Sequence, residues 1–211
     1  MTRIYYDTEF LEDGRTIELI SIGMVTDDDR EYYAVNSSLT DSGTWERVIT
    51  HHWLIENVVP SLPITGRKNL DRYLAGGTMF SPNPTTNGVR LDHTDSNVKP
   101  HQVIANEVRD FIQATDDPQL WAWYGAYDHV ALCQLWGPMV DLPDGVPMWT
   151  NDLRQERARL GNPTMPRQKE GEHNALADAR HNRDMDQFLD RQAADISYIS
   201  PGVPYWTEED G

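Results

Sequence analysis

Apolar residues recur along this chain at two different periods, and the change from one to the other divides it. Residues 4–9 and 16–26 carry branched and aromatic side chains in the short dense runs that predict strands. Asp13-Gly14 marks a turn between them, and Asp27-Asp28-Asp29 marks a second turn before a third strand at 31–36. The three predict an antiparallel meander. From 44 to 59 the period lengthens, with Trp45, Val48, Ile49, Trp53 and Val58 near one helical face. Residues 62–100 follow neither period and hold Gly76-Gly77, Pro82, Pro84 and Gly88, so they read as an irregular insertion. Regular patterning resumes in a helix at 101–114, striped by Val103, Ile104, Val108, Phe111 and Ile112. A strand at 120–124 is broken by Gly125 before a helix at 128–136, a further strand is expected at 146–152, and 175–191 reads as a long amphipathic helix. Strands first and alternating helices and strands afterwards predict an α/β protein. Its mixed sheet would have antiparallel strands 1–3, then parallel strands, flanked by helices.

Length and charge narrow this picture. At 211 residues the chain suits one well-buried core. We expect a single domain over 1–196 that carries the 62–100 insertion, and an acidic C-terminal tail over 197–211. No run approaches the roughly 18 apolar residues of a membrane span, and no basic-then-apolar leader opens the chain, so a soluble cytoplasmic protein without membrane association is expected. The single cysteine, Cys133, sits in an apolar run and reads as a small buried hydrophobe. A formal charge of -16 argues against broad affinity for nucleic acid, which rests on clustered Lys and Arg. The local exception is Arg154, Arg157, Arg159, Arg167 and Lys169, readable either as a solvated helix face and loop or as a phosphate-steering patch.

Against that acidic background, a few carboxylates stand in unusual places. Residues two apart on a strand share a face, so Asp7 and Glu9 lie side by side while Thr8 points the other way. Two carboxylates so close on a buried strand are costly unless a cation sits between them. The same spacing at Asp29 and Glu31 falls in a polar turn, where solvent suffices. Asp128 opens a helix just after the strand and Gly125; capping is its ordinary reading, and the carboxyl end of an α/β strand is its functional one. His173 and Asp178, five apart, would diverge by about 140° on one regular helix. They can converge only if His173 lies on a loop, which Gly171 favours, and Asp178 opens the helix. His181 and Asp186 repeat that spacing with no such break and read as solvent-facing. Together, Asp7, Glu9, Asp128, Asp178 and His173 make the set of four carboxylates and one imidazole that a two-metal phosphodiester-cleaving site needs.

The order of these pieces resembles that of the DEDDh 3′→5′ exonucleases of the ribonuclease H-like fold. The runs Tyr6-Asp7-Thr8-Glu9-Phe10 and His173-Asn174-Ala175-Leu176-Ala177-Asp178-Ala179 are similar to those of the actinobacterial, polyadenylate-preferring exoribonucleases. The resemblance implies a ribonuclease H-like sheet and hydrolysis of single-stranded RNA from its 3′ end to nucleoside 5′-monophosphates, with adenylate-rich ends favoured. It implies that Asp7, Glu9, Asp128 and Asp178 hold two Mg²⁺ ions, for which Mn²⁺ would substitute, and that His173 is the general base. Thr8, Glu9, Phe10 and Leu11 would touch the terminal nucleotide, and the partners would be a single-stranded RNA 3′ end and a second copy in a homodimer. Two other readings are an exonuclease for DNA or short oligonucleotides, since sequence does not display contacts to the 2′-hydroxyl, and a non-catalytic nucleic-acid-binding relative. The second would be expected to have lost at least one of the five site residues, and all five are present.

Overall fold

The computed structural model describes residues 1–76 and 88–199. Strands β1 (Thr2–Glu12), β2 (Ile17–Thr26) and β3 (Glu31–Asn36) form the expected antiparallel meander. There follow α1 (Ser38–Asp41), α2 (Thr44–Thr50), α3 (His52–Asn57), a 3-10 turn (Val59–Ser61), β4 (Ile64–Thr65), α4 (Arg67–Leu74), β5 (Arg90–Leu91), β6 (Val98–Lys99) and α5 (His101–Gln113). Then come β7 (Pro118–Ala122), α6 (Ala126–Cys133), 3-10 turns at Gln134–Trp136 and Met139–Asp141, β8 (Asn151–Asp152), α7 (Leu153–Arg159) and α8 (Ala175–Ile199). The main sheet runs in the order β6-β3-β2-β1-β7-β8, with β7 parallel to β1 and β8 parallel to β7. This is the mixed α/β sheet flanked by helices that the pattern predicts.

Alternation along β1 decides which layer each residue meets. Ile4 and Tyr6 join Ile104, Val108 and Ile112 of α5 and Ala131 and Leu132 of α6 in the main core. The odd positions face the other way: Tyr5 bonds to α8, and Leu11 packs with Ile20, Val35 and the apolar faces of α2 and α3. Beside Glu9 the ladder slips, because Glu9 pairs with Ser21 while Phe10 pairs with Leu19, leaving Ile20 as the extra residue of a bulge. Such a bulge adds twist and re-aims the neighbouring side chains. The bend falls where the first two acids of the proposed site stand.

Several elements depart from the sequence expectation, each for a physical reason. The single helix expected at 44–59 is two helices, because His51 is extended (φ −78°, ψ 115°) and its Nδ1 accepts the Leu54 N–H at 3.3 Å to start α3. The strand expected at 146–152 shrinks to Asn151–Asp152, after which the Asp152 side chain caps α7 through the Arg154 N–H at 2.7 Å. The described part of 62–100 is less irregular than its composition suggests: β4 pairs with β5, and β6 extends the main sheet beside β3. Helix α8 continues past 191 through 199, since the next residue that breaks a helix is Pro201. The first positions of the expected acidic tail are therefore helical, while 200–211, like 77–87, lie outside the described residues. Cys133 is half-buried against the main core, which pushes its thiol up. Among the described residues no helix is long and apolar enough to cross a membrane.

Candidate active site

A cleft of about 1060 Å³ opens where the end of β1, the turn after β7 and the start of α8 meet. Asp7, Thr8, Glu9, Phe10, Asp128, His173 and Asp178 all line it. Three distant parts of the chain thus bring all five of the expected acid and imidazole residues into one place.

Each is held by identifiable contacts. Asp128 stands in the first turn of α6, and one of its oxygens accepts both the backbone N–H of Thr8 at 2.9 Å and the Thr8 hydroxyl at 2.7 Å. Thr8, pointing away from Asp7 and Glu9, therefore fixes the third acid to the strand of the first two. His173 lies on the loop before α8 with a left-handed backbone (φ 64°), an uncommon state for a non-glycine residue. Its carbonyl accepts the Ser61 hydroxyl at 2.7 Å, and its ring and that of Trp53 meet edge-to-face at a centroid distance of 4.8 Å. Its N–H donates to Asp178 at 2.9 Å, and the Gln168 amide donates to the other oxygen at 2.7 Å. The loop turn lets His173 and Asp178 converge, so that ligating atoms of Glu9, His173 and Asp178 lie within 4.8 Å of one another.

The electrostatics show what this crowding costs. Burial, then repulsion from Asp178 and Asp128, pushes the Glu9 carboxyl up to about 8. Asp7 is held well above the ordinary carboxylate range by burial and then by Asp128, Glu9 and Asp178. Burial lifts Asp128 to about 6 against the two hydrogen bonds from Thr8, and it raises Asp178 against those from Gln168 and His173. Acids raised by burial, and at Asp7 and Glu9 also by neighbouring carboxylates, are what a divalent cation would bring back into the ionised form. The carboxylates fit a hard ion such as Mg²⁺ or Mn²⁺; the ligand atoms brought within 4.8 Å belong to Glu9, Asp178 and His173, and Asp7 and Asp128 line the cleft with them.

A stability effect of definite sign follows. Between about pH 4.5 and 8 folded Glu9 retains a proton that the unfolded chain releases, so rising pH through that window removes stability from the metal-free protein. We expect the metal-free melting temperature to fall by roughly 5–10 °C from pH 5 to pH 8. Mg²⁺ or Mn²⁺ should restore more of it at pH 8 than at pH 5. Scanning calorimetry with and without chelator checks this, and an equal response to metal at both pH values would contradict the assigned cluster.

Other expected positions lie elsewhere. Leu11 is 4% exposed in the core with Ile20 and Val35, two positions beyond Glu9 on the same face and outside the cleft lining. Phe10 lines the cleft and stacks on Tyr127 at 6.0 Å. His181 and Asp186 are not the solvent-facing helix residues their spacing suggests: His181 lines the cleft, and Asp186, 1% exposed, takes hydrogen bonds from Tyr5 at 2.7 Å and from Arg3. Of the five cations from 154 to 169 only Arg167 lines the cleft; Arg157 bonds to the Pro163 carbonyl and Arg159 pairs with Glu156. Gln168 and the exposed Tyr124 are site residues the sequence did not reveal, for the loop before α8 has no periodicity and Tyr124 reads as the end of an apolar strand.

The chain belongs to the Rv2179c-like 3′-5′ exoribonuclease family. The family's domain, described as "3'-5' exoribonuclease Rv2179c-like domain", matches residues 85–189. Over 182 residues the chain is 43% identical to the 3′-5′ exoribonuclease Rv2179c of Mycobacterium tuberculosis (strain ATCC 25618 / H37Rv), covering 84% of this chain and 87% of that protein. It is similar to the same extent to the 3′-5′ exoribonuclease MT2234.1 of strain CDC 1551 / Oshkosh. Among solved structures, S. pombe Pop2p in its Mg²⁺- and Mn²⁺-bound form aligns over 96% of this chain and 86% of its own, with a TM-score of 0.41 and 11% identity. So distant a likeness decides nothing about this chain.

Proposed function

We propose that the protein hydrolyses single-stranded RNA from the 3′ end, releasing nucleoside 5′-monophosphates, with a preference for adenylate ends. The observation that carries this reading is the convergence of Glu9, His173 and Asp178 within 4.8 Å beside Asp7 and Asp128, in a chain of an exoribonuclease family. Asp7, Glu9, Asp128 and Asp178 would hold two divalent ions, Mg²⁺ with Mn²⁺ as a substitute. When bound, these ions supply charge neutralisation at the attacked phosphate and at the departing 3′ oxygen. The side chains do the rest. His173 takes a proton from the attacking water, for which an imidazole near neutral pH is suited. Its left-handed turn and the contact with Trp53 hold the ring toward the acids. Thr8 keeps Asp128 in register with β1, and Phe10 offers an apolar surface to the terminal base.

Matched ribo- and deoxyribo-oligonucleotides ending in adenylate test this reading. The expected result is Mg²⁺-dependent release of adenosine 5′-monophosphate from RNA, at least about tenfold faster than release from DNA. Equal or better turnover of DNA would refute the ribonuclease reading, and 3′-phosphate products would refute the chemistry. The reading extends to a homodimer, for which the exposed Met139, Val140, Met148 and Trp149 offer apolar surface within one stretch of chain. Light scattering should give twice the 24.2 kDa chain mass; a monomer at micromolar concentration would rule the dimer out.

A further inference from the structure

Tyr124 carries two unfavourable features at once. Its backbone is left-handed (φ 56°), which bulky aromatic residues rarely adopt, and its side chain is 62% exposed. Neither is accidental to the turn. The Tyr124 N–H donates to Asp152 at 3.2 Å and its carbonyl accepts the Ala126 N–H at 2.8 Å, so the chain reverses here between β7 and α6 and leaves the ring on the cleft wall. A ring held out of the core by a strained backbone, in a cleft, is a feature that binding can explain and folding cannot.

The cleft, of about 1060 Å³, is open and runs from the acids to the turn after β7. Phe10, Trp53, Trp123, Tyr124 and Tyr127 all line it. Phe10 and Tyr127 are chain neighbours of Glu9 and Asp128, and Trp53 touches His173, so these three stand next to the reacting end. Tyr124 comes from the turn that follows β7, its ring perpendicular to that of Trp123 at a centroid distance of 5.5 Å. Arg167 lines the same cleft from the loop before α8 and supplies a positive charge that a second phosphate would need.

We propose that the cleft seats two consecutive nucleotides of a single strand, and that Tyr124 is the stacking platform for the penultimate base. This rests on the exonuclease reading above and adds to it a substrate requirement: a base on the nucleotide upstream of the cleaved bond. Stacking against an aromatic ring tolerates every base, so the requirement is for a base and not for a particular one.

The test uses the full chain and RNA trimers that either carry the penultimate base or are abasic at that position, with the release of the terminal nucleoside 5′-monophosphate measured. The unaltered enzyme should favour the trimer with the base by roughly 5- to 100-fold in kcat/KM. Tyr124→Gly should abolish that preference, lowering kcat/KM on the trimer with the base far more than on the abasic one, and Tyr124→Phe should keep it. Glycine accepts φ 56° without strain, which offsets the lost ring contact with Trp123, so Tyr124→Gly should stay folded at the assay temperature, as its melting temperature would show. A preference that survives in Tyr124→Gly overturns the proposal. So does an equal loss of activity on both trimers, which would place Tyr124 in support of the metal-binding acids. Release of no monophosphate from either trimer by the unaltered enzyme would overturn the exonuclease reading and this inference with it; release without preference overturns this inference alone.

Discussion

Asp7→Asn is expected to lower mononucleotide release by about a thousandfold or more and, in the same protein, to raise the melting temperature measured in chelator. The two effects have one cause. Asp7 stands where the fields of Asp128, Glu9 and Asp178 overlap, and burial prevents water from screening them. Without metal folded Asp7 keeps a proton that the unfolded chain releases, so an isosteric amide removes a folding penalty worth on the order of 1–2 kcal/mol, or roughly 2–6 °C for a domain of this size. With metal the ionised carboxylate is what would hold the ion, and the amide cannot replace it. Adding Mg²⁺ should therefore raise the melting temperature of the unaltered protein well above that of Asp7→Asn, reversing their order. Activity within tenfold of the unaltered enzyme, or a lower melting temperature in chelator, would sink the assignment of Asp7.

Gly23→Val should unfold the protein or, at temperatures where it stays folded, lower kcat by about a hundredfold or more. Gly23 pairs with Asp7 across the β1–β2 ladder, and α8 begins directly above it. A Cβ on Gly23 would lie 2.3 Å from the backbone carbon and oxygen of Ala175 and from the nitrogen of Leu176. No rotamer change relieves a clash with backbone, so the start of α8 must move. That start carries Asp178 and is continuous with the His173 loop, and both must stay near Glu9. Even Gly23→Ala should cost ~2–4 kcal/mol, since overpacking against a rigid neighbour is not absorbed. Calorimetry combined with kinetics well below the melting temperature separates the two losses. Ordinary stability and turnover in Gly23→Ala would show that α8 is not seated as described.

The parts of this fold that sequence discloses are those set by local periodicity. β3 and the start of α5 fall where the apolar pattern places them, and Asp7 with Glu9 could be read as a pair because strand alternation fixes their common face. The loop position of His173 followed from Gly171 and from the geometry of a helix. The misreadings share a different cause, which is contact across long stretches of chain. Asp186 looks like one more acid on an amphipathic helix until Arg3 and Tyr5, more than 180 positions earlier, are folded against it. The break at His51 depends on one ring nitrogen accepting a backbone N–H, which no periodicity encodes. Gln168 reaches the site from a loop whose course is set by what it covers, while Arg167, one of the five cations the sequence offered for phosphate steering, lines the cleft from the same loop.

The meeting of β1 with the start of α8 also has a meaning in time. A ribosome releases the acids of β1 first, Asp128 later, and His173 with Asp178 after both. Until α8 settles onto β1 and β2, the growing chain has Asp7 and Glu9 on a strand without His173 and Asp178 beside them. A product cut short before residue 173 would lack one wall of the cleft, so the cleft of this exoribonuclease closes only after β1, α6 and the start of α8 have all been made.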